Sequence, residues 1–316
     1  MGIISDAVTA LEDWFKDVLA SGIEGSIRTT SELLSNSLNN ADDTGVNPLF
    51  GQFLGSPESF TGSTSGTGTP VWTTIHTLSD NVIVPIAGFI LCIVVIHDLL
   101  QAVMGGNNFR DFDDSIFIKW ILKTFCGILL ISNVFDITTA IFAFGTQAVA
   151  NGLSTIFPTG TGLISSDLID SADFHTSLIS LDVGTLVVTL IISFVILIVT
   201  FVLLGAIIIV LASRIIEVFM YLSISPIPMA TMMNNDWGQI GKNWLRNIFA
   251  LAFQGFFIVV ALAIFKALFT NALTTMMSGE SGDVIMTMAI LLGFIVAFIF
   301  TIFRSSSISK SVFSAH

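Results

Sequence analysis

Five long apolar stretches fill most of residues 81–303, near 81–104, 116–150, 183–212, 247–274 and 284–303, and the bases around them gather on one side. A helix rises about 1.5 Å per residue, so about 20 apolar residues cross the roughly 30 Å of hydrocarbon in a bilayer. Each stretch reaches that length. Lipid offers no hydrogen bonds, so a segment placed there must satisfy its own backbone, and a helix does so. The chain therefore reads as an all-α, polytopic membrane protein with about five transmembrane helices. Only 11% of its 316 residues are charged, against about a quarter in soluble domains. Phe is abundant at 28 and Tyr nearly absent at 1, as suits rings that face lipid and need no hydroxyl partner.

The charges supply an orientation. The first link holds Arg110, with Lys119 and Lys123 early in the second stretch; the third link holds Arg214, Lys242 and Arg246; the tail holds Arg304 and Lys310. The two intervening segments carry Asp167, Asp170, Asp173 and Asp182, and then Glu280 and Asp283, with no base. Base-rich short loops stay in the cytoplasm, so five spans alternate consistently with the N-terminus outside and the C-terminus inside. The expected division is an extracytoplasmic region over 1–80, a five-span domain over 81–304 and a cytoplasmic tail over 305–316.

Residues 1–80 hold ten acids against Lys16 and Arg28. Ile4, Ala7, Val8, Leu11, Trp14, Phe15, Val18 and Leu19 recur at helical spacing, with Glu12, Asp13, Lys16 and Asp17 between them. That pattern predicts an amphipathic helix able to lie on a bilayer or on another helix. Acids interrupt it, so it is not a secretory signal. A second, weaker helix is expected over 23–38, then a Ser/Thr/Gly-rich loop over 39–70.

The second stretch exceeds one crossing. If it enters at Phe117, Asp136 lies about 29 Å further on, near the outer interface, and the remainder continues outside or along the surface. The third runs from Val183 to Ser223 without a breaker, about 60 Å as a helix, so half of it should project into the cytoplasm. Pro226 and Pro228 then end it, because proline lacks the amide donor and clashes with the preceding turn. Trp237, Ile240, Trp244 and Ile248 follow at helical spacing beside Lys242 and Arg246, which predicts an interfacial helix leading into the fourth span.

Ionisable groups within spans are costly and mark function or pairing. Asp98 falls near the cytoplasmic edge of the first span, and Arg214 and Glu217 form an i,i+3 pair near the same edge. Lys266, 18 residues after Ile248, can extend to the outer surface. Gln254 suits an interhelical hydrogen bond. Cys92 and Cys126 read as small buried residues rather than a disulfide. No row of membrane acids suggests a proton relay, and no pair of broken helices recurs in matching halves as in inverted-repeat transporters. A nucleotide loop, a His/Glu zinc spacing and a nucleophile elbow are all missing from the sequence, so no enzymatic activity, cofactor or metal is expected. The turn Gly105-Gly106-Asn107-Asn108 links spans and is no phosphate cradle.

A long helix ended by Pro226 and Pro228, a short basic link, the run Trp244-Leu245-Arg246 and a further apolar span together resemble the VirB6/TrbL-like family, inner-membrane components of conjugative type IV secretion systems. The resemblance extends over roughly 80–305 and is strongest over 225–253; the long N-terminal region is similar to versions from Gram-positive mobile elements. It implies a multi-pass protein of the bacterial cell membrane that is a non-enzymatic part of a DNA- and protein-transfer conduit. The implied partners are membrane lipid, other secretion subunits including cytoplasmic ATPases, and further copies in a homo-oligomeric ring such as a pentamer. Contact with single-stranded DNA would be transient at most, since each phosphate contact needs a Lys or Arg and the chain has eleven. The residues singled out are Asp98, Arg214, Glu217, Pro226, Pro228, Trp237, Trp244 and Lys266. The rival readings are a stand-alone small-solute transporter or ion channel, and a structural scaffold or immunity-type membrane protein.

Overall fold

The computed structural model describes residues 2–38, 53–55, 57–59, 71–105, 114–156, 172–234, 236–278 and 281–315, and among these every regular element is helical. The helices are α1 (Gly2–Leu38), α2 (Val71–Leu78), α3 (Val84–Gly105), α4 (Asp114–Ser132), α5 (Val134–Ile156), α6 (Ala172–Ile179), α7 (Val183–Ser223), α8 (Pro226–Thr231), α9 (Gly238–Ser278) and α10 (Ser281–Val312). A π-helical turn, Ser79–Ile83, joins α2 to α3. Most of the 39–70 loop, Arg110 with the Gly106-Asn107-Asn108 turn, Asp167, Asp170 and Glu280 lie outside the described residues.

Among the described residues four helices are long and apolar enough to cross a membrane: Val71–Gln101, Val183–Ser223, Gly238–Met276 and Val284–Val312. The second apolar stretch is a broken pair, Phe117–Ser132 and Val134–Ile156, bent by 63°. It makes a fifth span if the pair counts as one. The bend falls at Asn133, whose side-chain amide donates to the Leu129 carbonyl at 2.8 Å. The Asn133 backbone N–H still donates to the same carbonyl at 3.1 Å, so the acceptor is shared, and side-chain back-bonding of this kind bends a helix.

Serine and threonine are common in these helices, and many close their hydroxyls within the same helix. Thr138, Thr189 and Thr200 donate to carbonyls four residues back, at 2.6–2.8 Å. The polar groups are thereby satisfied without leaving the helix that carries them. Cys92 and Cys126 are free and exposed, not buried as the sequence suggested: a small apolar side chain is as much at home on a lipid-facing helix surface as in a core.

The chain forms two compact units. The first comprises Met1–Gly51, Ala150–Leu211 and Phe257–Ser305; the second comprises Gln52–Val149, Ala212–Phe256 and Ser306–His316. In the first, α1 is one continuous helix where two were expected. Its later half buries Leu19, Ala20, Ile23, Ile27 and Leu34 and packs against α6. His175 on α6 sits between two α1 carboxylates, with Nε2 3.1 Å from Asp17 and Nδ1 3.3 Å from Glu24. Phe265 on α9 stacks on Phe298 of α10 at 4.5 Å.

In the second unit a core of Phe135, Phe142, Val218, Leu222, Trp244 and Leu251, among others, gathers α5, the end of α7 and the start of α9. The end of α10 joins it through Ser309, which donates to the Ala250 carbonyl, and through Phe313 beside Phe249 and Phe253.

Candidate functional site at the proline break

Helix α7 stops at Ser223 and the chain restarts as α8 after two residues. Pro226 takes the first position of α8, where its missing N–H has no helical partner to lose. The prolines therefore do what the sequence suggested in ending the long helix, and they also begin a short new one. Pro226, Pro228, Met229, Ala230 and Thr231 are all buried. Thr231 donates its hydroxyl to the Pro228 carbonyl at 2.8 Å, closing an acceptor near the end of this turn.

The two sides of α8 serve different clusters. Ala230 and Ile227 join Ala87, Leu91 and Ile131 of α3 and α4. Met229 enters the larger core with Leu222 and Trp244. Helix α8 thus works as a wedge among α3, α4 and the π-helical turn. The start of α9 approaches it closely: a Cβ on Gly241 would stand 2.6 Å from the Pro228 carbonyl oxygen, too near for any side chain. The same logic holds where α5 crosses α9, since a Cβ on Gly145 would overlap the Ala252 carbonyl.

The link after α8 is tied back to the end of α3. Asn234 is buried; its side-chain oxygen accepts from the amides of Asp236 at 2.7 Å and Trp237 at 3.1 Å, and its amide nitrogen lies 3.4 Å from His97 Nδ1. Trp237 stacks on His97 at 5.2 Å, and Gln101 donates to Asp236 at 2.6 Å. Beside this lies the ion pair of Lys123 with Asp98 at 2.6 Å, and Trp120 donates to the Val95 carbonyl at 3.0 Å. The four-residue stripe expected over 237–248 divides: Trp237 and Ile240 are exposed, Trp244 and Ile248 buried.

Arg214 and Glu217, expected to pair, take separate partners. Arg214 is 3% exposed. Its Nη1 donates to the Phe53 carbonyl at 2.9 Å and its Nε to the Leu251 carbonyl at 3.2 Å. Among the described residues no carboxylate reaches it within ion-pair distance. Glu217 instead faces Lys310 at 4.0 Å. The guanidinium thus pins three pieces of backbone together, and Gly255 lies close by, where a Cβ would stand 3.0 Å from both Leu54 and Val149. Alongside runs an apolar groove of about 430 Å³, lined by Phe53, Val71, Ile75, Ile215, Phe219 and Ser223 among others. In the other unit, Lys266 donates to the Ile156 carbonyl at 3.2 Å, a favourable place for a cation at a helix C-terminus.

Among the described residues of the second unit, three buried polar atoms have no hydrogen-bond partner: Ser79 Oγ, Ser225 Oγ and Trp244 Nε1. An unsatisfied buried donor costs about 1–3 kcal/mol. Trp244→Phe removes that donor while keeping an aromatic ring, so its expected net effect on stability is within about 1 kcal/mol. Trp244→Ala empties the site and is expected to cost about 3–5 kcal/mol. Thermal unfolding of the detergent-solubilised variants measures both; equal losses for Phe and Ala would show that the indole nitrogen matters more than the ring.

The arrangement holds helices together and offers apolar surface. Asp98, Arg214, Pro226, Pro228, Trp237 and Trp244 all fall within the second unit, and the sequence did not expose the glycines that permit its close crossings. Only the placement of Gly145 beside Phe144 and of Gly255 beside Phe256 pointed towards them.

No curated protein and no solved structure matches the chain. Residues 57–226 match the family described as TrbL/VirB6 plasmid conjugal transfer like protein. The match runs from the 3₁₀ turn at Pro57 to the proline break, so it shares only Ser225 and Pro226 with the stretch over 225–253 in which the resemblance is strongest. It covers more than half of the chain, and with several helices able to span a bilayer it makes this a multi-pass bacterial membrane protein that belongs to the TrbL/VirB6 family of plasmid conjugal transfer proteins.

Proposed function

We propose that the chain is a non-enzymatic subunit of a conjugative type IV secretion channel, forming or scaffolding the inner-membrane part of the conduit for DNA and protein. The observation that carries this reading is the family match over 57–226, which takes in the first span, the bent pair and α7. Energy comes from partner ATPases in the cytoplasm. Several copies assemble as a ring, with N-termini outside and C-termini inside, the orientation favoured by the placement of Lys and Arg. With eleven bases in all, the subunit holds few phosphates at once, which suits passage of a strand rather than its capture.

An in-frame deletion in the native element, complemented in trans, tests the role. Transfer to recipients is expected to be lost and to return on complementation. Normal transfer in the deletion strain would sink the proposal. A protease site placed within residues 39–52 tests the orientation: cleavage of intact cells from outside is expected, and protection would reverse it.

A further inference from the structure

Helix α1 has two apolar faces, and its own unit uses one. At about 100° per residue, the buried set from Leu19 to Leu34 centres roughly 125° around the helix from the stripe of Val8, Leu11, Trp14, Phe15 and Val18. The clamp of His175 on Asp17 and Glu24 also lies away from that stripe. All five stripe residues are exposed, Leu11 at 65% and Trp14 at 61%. A contiguous apolar surface of this kind marks an interaction site, and α1 falls outside the residues matched to the family.

The charges choose among occupants. Helices that lie in a membrane surface carry Lys and Arg on the polar face and are drawn to anionic lipid. Residues 6–18 carry Asp6, Glu12, Asp13 and Asp17 against one base, Lys16, and Lys16 is engaged by Glu12 at 3.5 Å. An anionic bilayer repels such a helix, and so does the same acidic helix on a second copy. An apolar groove edged with Lys and Arg on a different protein complements both its shape and its charge.

We infer that the first half of α1 is a docking helix for another protein, inserting Leu11, Trp14 and Val18 into an apolar groove with a basic rim. The inference concerns α1 alone and goes beyond the transfer role. If the partner is encoded by the transfer element, the two readings support one another; if it is a host protein, the docking surface stands while the transfer role loses support.

Photoreactive benzoylphenylalanine placed at Leu11, Trp14 or Val18 of the full chain, in cells carrying the native element, provides the test, with Asp13 on the polar face as control. The three stripe positions are expected to give one adduct with the same second protein, mapped by mass spectrometry to an apolar surface flanked by Lys or Arg. The Asp13 position gives little. Asp6→Lys with Glu12→Lys, which leaves the buried face and the His175 clamp untouched, is expected to reduce the adduct about tenfold through lost charge complementarity. Adducts with lipid alone, adducts between two copies, an adduct indifferent to the charge reversal, or no adduct would each overturn the inference.

Discussion

Gly145→Val is expected to destabilise the protein by about 3 kcal/mol or more, the upper end of what overpacking costs, and to remove folded material from the membrane. Even the first carbon of any side chain here overlaps the Ala252 carbonyl. That obstacle is backbone within α9, and it cannot rotate aside as a side chain would. Relief requires α5 and α9 to separate, which loosens Phe142 and Leu251 in the main core of their unit. Gly145→Ala should fail in the same direction, although alanine is intrinsically the better helix former by about 1 kcal/mol. Gly88→Ala is the control, since nothing lies within 4 Å of a Cβ there, and it should be neutral or mildly stabilising. Fluorescence-detected size-exclusion chromatography across a temperature series reads all three. A Gly145→Val protein that elutes and melts with the parent would refute the close crossing.

Arg214→Ala is the other large effect, with an expected loss of about 3–5 kcal/mol. Two charge-assisted bonds disappear, each worth about 1.5–3 kcal/mol, and the Phe53 carbonyl is left without this donor. Arg214→Lys keeps the charge but not the planar fork that reaches two carbonyls from one side chain, so it should recover only part of the loss. Arg214→Met removes the buried charge together with its bonds and fills much of the space. It should therefore be milder than alanine, in keeping with the finding that apolar replacement of buried charge is often tolerated. Unfolding in detergent gives the order; lysine equal to the parent would mean that charge alone, not geometry, holds the site.

The length scale of hydrocarbon made the spans readable, because twenty apolar residues have few other uses. Pro226 and Pro228 were equally plain, since proline acts on its own turn. What stayed hidden is paired at long range. Arg214 meets Phe53 across 161 positions and Leu251 across 37, and Gly145 meets Ala252 on another helix; no local periodicity carries such partners. Its closeness to Glu217 in sequence suggested a pair, yet burial gave the guanidinium to backbone carbonyls and left the carboxylate to Lys310. The break at Asn133 has neither Gly nor Pro to announce it. The α1 stripe was visible as a pattern, but the other face, from Leu19 to Leu34, shows itself only once α6 is in place.

The hydroxyls that bond back within their own helices bear on how the protein is made. Spans leave the translocon one after another, and Thr138, Thr189 and Thr200 carry their acceptors with them, so those segments enter the bilayer with their hydroxyls already satisfied. Arg214 is different. When α7 emerges from the ribosome, the Phe53 carbonyl has long been synthesised, whereas Leu251 arrives 37 residues later. Nascent chains arrested shortly before and shortly after Leu251 has cleared the insertion machinery would bracket the step at which the guanidinium acquires its second acceptor.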